Sequence, residues 1–442
     1  MDREVSPLGQ FLSRIETREA VVGVIGLGYV GLPLSLLMAE AGHRVIGFDI
    51  DPAKPRMLGQ GESYLTHVDS SRVESAFVRG GAVATTEFDR LPECDAVILC
   101  LPTPLGTHRE PDLSFVRDTT DAVADSLRVG QLVVLESTTY PGTTREELQP
   151  RLERSGLTCG SDFFLAFSPE REDPGNLNFT TRTIPKLVGG IDPNSATAAR
   201  ALYESAFESV VPVSSAEVAE SAKILENVYR AVNIALVNEL KIVFDRMGVD
   251  IWEVIEAAKT KPFGFTAFYP GPGLGGHCIP LDPFYLAWKA AEHGVWARFI
   301  ELAGEINSAM PRYVVQKTIE ALNAEGRPVR GARILVLGLA YKPDIGDDRE
   351  SPSFEIIEGL TRLGAEVAYC DPFVPVARRT RKHDLGLRSV DCSAEAFGEF
   401  DALVVSTAHT AFREPGLYSR CRLVIDTRNI VATSAPTRVV RA

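Results

Sequence analysis

The sequence predicts an α/β protein, two doubly wound parallel-sheet domains joined by a long central helix. Three observations carry that expectation. Between about residues 20 and 210, short β-branched runs alternate with helical segments, and such alternation builds a parallel sheet covered by helices. Ser214 to Met247 contains neither Gly nor Pro. From near Ala332 the alternation resumes as a second, smaller sheet.

The strand runs of the first region are VVGVIG, RVIGFD, AVILCL, LVVLES, FFLAFS and KLVGG. Val21–Ala39 is a 19-residue stretch without charge, but Gly23, Gly26, Gly28, Gly31 and Pro33 punctuate it. It therefore reads as a buried strand, a tight turn and a helix, not as a membrane span. In the second region, Ser214 and Glu217 have the spacing of a capping box at a helix start. A helix of this length can join two domains and offer a dimer face. The third region supplies RILVLGLAY, EVAYCD, ALVVST and LVIDTRN.

The chain has 442 residues, is 45% hydrophobic and carries a formal charge of −13. A uniformly acidic surface repels nucleic acid and anionic membranes, so neither is an expected partner. An anionic small substrate stays possible, because backbone N–H groups and a few basic side chains bind phosphate locally. The charged N-terminus has no apolar signal core, and cytoplasmic residence is expected. The seven cysteines are odd in number and form no CxxC pair. That fits reduced thiols, not disulfides or a metal site, with Cys94, Cys100 and Cys370 as core residues.

Gly26-Leu27-Gly28-Tyr29-Val30-Gly31 is G-x-G-x-x-G between a strand and a helix. The first glycine makes the turn, the second admits a pyrophosphate to the backbone, and the third packs helix on strand. Asp49 ends the next strand, about 20 residues on, where a carboxylate binds a ribose hydroxyl and repels a 2′-phosphate. A Rossmann-like domain that binds NAD follows. Thr103 and Thr138 also stand at strand ends, where ligands of such sheets bind, although either could be a turn residue.

Cys278 lies in GLGGHCIPLD, a glycine-rich loop, with Asp282 four residues on. It is a candidate nucleophile, against the ordinary reading of a structural cysteine. Lys223 and Asn227, four apart on the long helix, share a face and could stabilise an oxyanion. Phe167-Ser168-Pro169-Glu170 ends another strand and puts Glu170 on the carboxyl edge.

Together, VIGLGYVGLPL, CLPTPL, ESTTYPGT, FSPER, AESAKILENVYRAVNIALVNEL, GPGLGGHCIPLDP and GLAYKPDIGDDRESPS resemble the UDP-glucose/GDP-mannose dehydrogenase family, in order and over nearly the whole chain. The resemblance implies an NAD-binding domain over 1–213, a central helical dimerisation region with the Cys loop over 214–325, and a nucleotide-sugar-binding α/β domain over 326–442. It implies a homodimer and a nucleotide-diphosphate hexose as substrate. The C6 hydroxymethyl would become a carboxylate, with Cys278 as nucleophile and Lys223 and Asn227 as oxyanion pair. Asp282, Thr138 and Glu170 would position or relay water. Phe167, Leu274, Gly275, Lys342 and Arg428 would line the substrate, and Arg349 would reach the cofactor.

Two departures from the family pattern stand out. Pro174 occupies the place of a second Glu, and the Cys motif ends in Pro-Leu-Asp instead of Pro-Lys-Asp, with Leu281. An arginine usual upstream of the Cys has at most Lys261 in its stead. FSPEREDPGN and FYPGPGLGGHCIP look most like the branch acting on UDP-N-acetylhexosamines. UDP- or dTDP-glucose remains an alternative substrate. A two-electron β-hydroxyacid-type dehydrogenase leaves the Cys loop and third region unexplained. A silent nucleotide-sugar sensor would not need Cys278 and Lys223.

Overall fold

The computed structural model describes residues 6–65, 68–106, 110–171, 179–276, 278–380, 382–432 and 437–442. Pro174 and His277 lie outside them, as does the side chain of Cys278. The chain forms two compact units, Met1–Glu226 with Phe284–Val295, and Asn227–Pro283 with Trp296–Ala442.

The first unit holds an eight-stranded sheet of β1 (Val21–Ile25), β2 (Arg44–Phe48), β3 (Ala82–Thr85), β4 (Ala96–Leu99), β5 (Leu132–Leu135), β6 (Phe164–Phe167), β7 (Lys186–Gly190) and β8 (Val210–Pro212). Their order is β3-β2-β1-β4-β5-β6-β7-β8. Pairing is parallel from β3 to β6, and β7 then runs antiparallel to β6, so the sheet is parallel-dominated, not uniformly parallel. β3 and β8 were not among the expected strands; both are short and partly exposed, and carry a weak apolar signal. Val22, Val24, Ile98, Val134 and Phe164 pack with Leu34 and Leu37 of helix Gly31–Glu40 in one core. The uncharged stretch beginning at Val21 is thus a buried strand, a turn and a buried helix. No helix among the described residues is long and apolar enough to cross a membrane.

The second unit holds five parallel strands: β9 (Arg333–Leu337), β10 (Glu366–Cys370), β11 (Ala402–Val405), β12 (Leu423–Asp426) and β13 (Arg438–Arg441), in the order β10-β9-β11-β12-β13. Both faces are covered. Ile334, Val336, Val404 and Ile425 pack on one side with Phe354 and Leu360, while Leu335, Leu337, Val405 and Val424 pack on the other with Phe397 and Phe412. Burial on both faces is why β9, β11 and β12 read as continuous apolar runs.

The order of each sheet reverses at one place, between β1 and β4 and between β9 and β11. The two switch points are built alike. Gly26 and Gly338 both take φ +92°, and a Cβ on them would lie 2.2 Å from Cys100 O and 2.3 Å from Thr407 Cβ. Beside them Asp49 accepts from Leu27 N–H, and Asp371 accepts from Leu339 and Ala340 N–H. Ligands of open α/β sheets bind at such points.

Two expectations need correction. The long helix spans Ala216–Met247, and Ser215, not Ser214, caps it, its Oγ accepting from Val218 N–H at 3.3 Å; Glu217 pairs with Arg145 instead of closing a capping box. Cys370 is bonded to Cys392 and is not a reduced core thiol. The segment after β10 folds back beside it, Ser389 bridging to Tyr369, and this long-range return leaves no local sequence signal.

Candidate active site

The dinucleotide loop has the shape its glycines require. Gly26 needs its left-handed φ, and a Cβ on Gly31 would meet Gly26 O at 1.9 Å, so helix and turn approach as only glycine permits. At Gly28 a Cβ would meet nothing within 4 Å, leaving the open approach a pyrophosphate needs. Tyr29 packs against the core, and at Val30 no side chain caps helix Gly31–Glu40. An uncapped helix start offers its first-turn N–H groups and positive dipole end to phosphate. Asp49, buried at the end of β2, accepts from Leu27 N–H at 2.9 Å and from Lys54 Nζ at 2.7 Å. These residues fit NAD. Sequence reasoning missed Lys54, which lies outside any motif in FDIDPAK.

Three further strand ends of the same unit carry expected residues. Thr103, after β4, is buried, and its carbonyl accepts from Tyr285 Oη at 2.8 Å. Thr138, after β5, is half-buried. Its loop is tied to the long helix by Glu220, a buried carboxylate that accepts from Gly142 N–H at 2.5 Å, Thr144 N–H at 2.9 Å and Thr144 Oγ1 at 2.7 Å. Burial pushes the Glu220 carboxyl up to about 7, against the pull of those bonds. Phe167 is fully buried and closes β6.

Beyond Phe167, Glu170 and Lys223 come together. Lys223 Nζ donates to Glu170 O at 2.5 Å. Beneath Glu170 lies a charge cluster that the sequence did not announce. Lys186 Nζ is 2.9 Å from Glu136 Oε2 and 3.5 Å from Glu170 Oε2, and donates to Pro169 O at 3.3 Å. Tyr203 Oη donates to Glu136 Oε1 at 2.5 Å. Lys186, Glu136 and Tyr203 are all buried. Burial opposes charge on Lys186, but Glu136 and Glu170 outweigh it and raise its pKa; burial also raises Glu136.

The second unit gathers the rest of the expected residues. Asn227 Nδ2 donates to Asp282 Oδ2 at 2.6 Å, and both are buried. Cys278 opens the helix Cys278–Glu292, one turn before Asp282. The glycine loop ahead of it is held on three sides. Asn238 Oδ1 accepts from Gly271 N–H at 2.9 Å, and Asn307 in turn receives the Asn238 amide. A Cβ on Gly271 would lie 2.5 Å from Arg428 Nη1. A Cβ on Gly275 would lie 2.4 Å from Tyr341 Cβ, and Gly276 N–H donates to Arg349 O at 2.9 Å.

Leu274 is half-buried in this loop, and so is Lys342, next to Tyr341. Arg349 also pairs with Asp347 at 2.6 Å. Thus the loop meets the Tyr341, Arg349 and Arg428 segments within one unit. Asn238, Asn307 and Tyr341 were missed, although the glycines that admit Tyr341 were the available signal. Lys261 is exposed, its Nζ 5.0 Å from the Phe263 ring. Among the described residues no group of His, Cys, Asp and Glu is placed to hold a metal ion.

Known proteins resemble this chain over nearly its whole length. Three models of one family match in succession: the NAD binding domain of the UDP-glucose/GDP-mannose dehydrogenase family over 20–207, its central domain over 217–309, and its UDP binding domain over 335–433. A UDP-N-acetyl-D-glucosamine 6-dehydrogenase of Pseudomonas aeruginosa is 35% identical over 401 residues, 90% of this chain and 93% of that protein. An NDP-N-acetyl-D-galactosaminuronic acid dehydrogenase of Ralstonia nicotianae is 35% identical over 422 residues, 92% and 96% of the two chains. The solved structure of a UDP-D-ManNAc dehydrogenase from Pyrococcus horikoshii superposes with a TM-score of 0.86 at 31% identity, covering 95% of this chain and 98% of that one.

Proposed function

Because the chain belongs to the UDP-glucose/GDP-mannose dehydrogenase family and is an NAD-dependent nucleotide-sugar dehydrogenase, we propose that it oxidises the C6 hydroxymethyl of a UDP-N-acetylhexosamine to a carboxylate through a thioester on Cys278. The observation that carries the substrate class is that the relatives named above, aligned over nine-tenths of this chain or more, act on N-acetylhexosamine nucleotides by their names. The ordered motifs around Cys278, Lys223 and Asp282 support the residue roles.

NAD, when bound, accepts the hydrides. Gly26, Gly28, Tyr29, Val30 and Gly31 would hold its pyrophosphate, and Asp49 with Lys54 would meet its ribose. Thr103, Thr138 and Arg349 would complete the cofactor contacts. Lys223 and Asn227 stabilise the alkoxide that forms when the Cys278 thiolate adds to the aldehyde carbon. Glu170, Thr138 and Asp282 hold the water that cleaves the thioester. Phe167, Leu274, Gly275, Lys342 and Arg428 bind the sugar nucleotide.

The functional segments proposed are 1–213, 214–325 and 326–442. We further infer a homodimer in the cytoplasm. Tyr229, Leu236 and Val243, spaced by seven along the long helix, are 51%, 50% and 43% exposed, an apolar stripe of the kind a second copy covers. Leu236→Glu is expected to shift the mass in solution from dimer to monomer. The substrate reading is tested by following NADH with a panel of UDP- and dTDP-hexoses. A higher kcat/KM on a UDP-N-acetylhexosamine than on UDP-glucose supports it, and the reverse order removes it.

A further inference from the structure

The Pro169–Glu170 segment lies between two ammonium groups. Lys223 Nζ holds the Glu170 carbonyl at 2.5 Å. Lys186 Nζ holds the Pro169 carbonyl at 3.3 Å and stands 3.5 Å from the Glu170 carboxylate. Lys186 is itself anchored by Glu136 at 2.9 Å, and Glu136 is held from its other oxygen by Tyr203 at 2.5 Å. The rings of Tyr203 and Phe207 flank the ammonium at 5.2 and 5.4 Å. The titratable groups around Lys186 are therefore Glu136, Glu170, Tyr203 and Cys100.

One buried cation so serves two carboxylates. A lysine that only neutralised Glu136 would not also need to reach the carboxylate and preceding carbonyl of a loop at the site. Lys186 is buried, so its ammonium is held in place beside Glu170 instead of turning out to solvent. Two fixed points on the backbone, the Pro169 and Glu170 carbonyls, limit the positions the Glu170 carboxylate can take.

We propose that Lys186 is a positioning residue for the hydrolytic half of the reaction, holding the Pro169–Glu170 segment so that the Glu170 carboxylate is aimed as the group that takes the water proton. This rests on the reading of Glu170 given above. In the step, water oxygen bonds to the C6 thioester carbon, its proton passes to the Glu170 carboxylate, the C–S bond breaks with its electron pair left on Cys278, and the sugar acid departs. No electrons leave the system in this step, which follows the two hydride transfers.

The test uses the full enzyme with NAD and a UDP-N-acetylhexosamine. The double variant Lys186→Met/Glu136→Gln removes both charges together and so leaves no unpaired buried Glu136. Expected are a KM for NAD within about twofold of wild type, a first NADH burst at the wild-type rate, hydrolysis slowed at least about tenfold, and sugar-nucleotide mass retained on the protein by intact-mass spectrometry. Glu170→Gln should show the same retained mass, and Lys186→Arg should recover part of the rate. Retained mass in Glu170→Gln but wild-type hydrolysis in the double variant overturns the role of Lys186 alone. Wild-type hydrolysis in Glu170→Gln overturns the reading of Glu170 and this proposal with it. If the double variant does not fold, Lys186→Gln decides. It removes the charge while keeping a donor, and should slow hydrolysis and retain sugar-nucleotide mass as Glu170→Gln does, with the first NADH burst at the wild-type rate. Wild-type hydrolysis in Lys186→Gln contradicts the proposal.

Discussion

The Asn227 amide donates to Asp282 Oδ2 across 2.6 Å, both side chains buried. The bond fixes Asp282 at the first turn of the helix that Cys278 opens, and it joins two residues that sequence spacing could only place on separate segments. It also defines which end of Asn227 faces Asp282: the N–H2 group, as donor.

Asn227→Asp would set two carboxylates against each other where one bond now stands. We expect kcat to fall by about 100-fold or more, since a lost oxyanion donor alone has that cost and repulsion adds to it. Asn227→Ala should lose less, and KM for NAD should stay within about twofold in both. A loss confined to KM for NAD would contradict the placement of Asn227 with the reacting groups.

The two inner glycines of the dinucleotide loop should fail in different ways. Gly31→Ala puts a Cβ 1.9 Å from Gly26 O, so backbone must move and the thermal midpoint should drop by several degrees. Gly28→Val meets no protein atom within 4 Å at the Cβ, so the midpoint should hold while KM for NAD rises about tenfold or more. Melting curves with NAD titrations separate the two, and equal melting losses would mean that Gly28 serves the fold and not the cofactor.

Glu220 should make stability depend on pH. Burial raises its folded-state pKa to about 7 from an ordinary 4.5, so the folded protein binds this proton more tightly than the unfolded chain does. Its contribution is then fully present below pH of about 4.5 and is lost as pH rises through about 7. Glu220→Gln, which cannot ionise, should flatten the midpoint–pH curve over that window. A curve of the same slope in both proteins would show that the three donors from Gly142 and Thr144 fully offset burial.

The parts legible in the sequence were those written in local pattern. β1, the turn at Gly26 and the helix from Gly31 follow from glycine spacing and an uncharged run, and β9, β11 and β12 of the second sheet follow from apolar continuity. Edge elements β3, β8 and β13 escaped because short, part-exposed strands carry little hydrophobic signal. Of the site, Lys223 and Glu170 were each expected, but not the bond between them, since 53 residues separate them. Lys186, Glu136 and Tyr203 were invisible for the same reason. A lysine in a strand reads as an edge or solvent residue until its buried partners are known. The Cys370–Cys392 bond was misjudged because an odd cysteine count says nothing about which two meet.

Covalent catalysis through Cys278 is read from the NADH released per sugar acid formed by wild type and by Cys278→Ser. A free aldehyde has no alkoxide to expel the second hydride, whereas thiolate addition recreates one, and serine ionises too little near neutral pH to substitute. Wild type should release two NADH per acid, while Cys278→Ser should lose nearly all turnover and still bind NAD and sugar nucleotide. Near-normal turnover of Cys278→Ser at two NADH per acid would contradict the claim and make a hydrated aldehyde the species oxidised second.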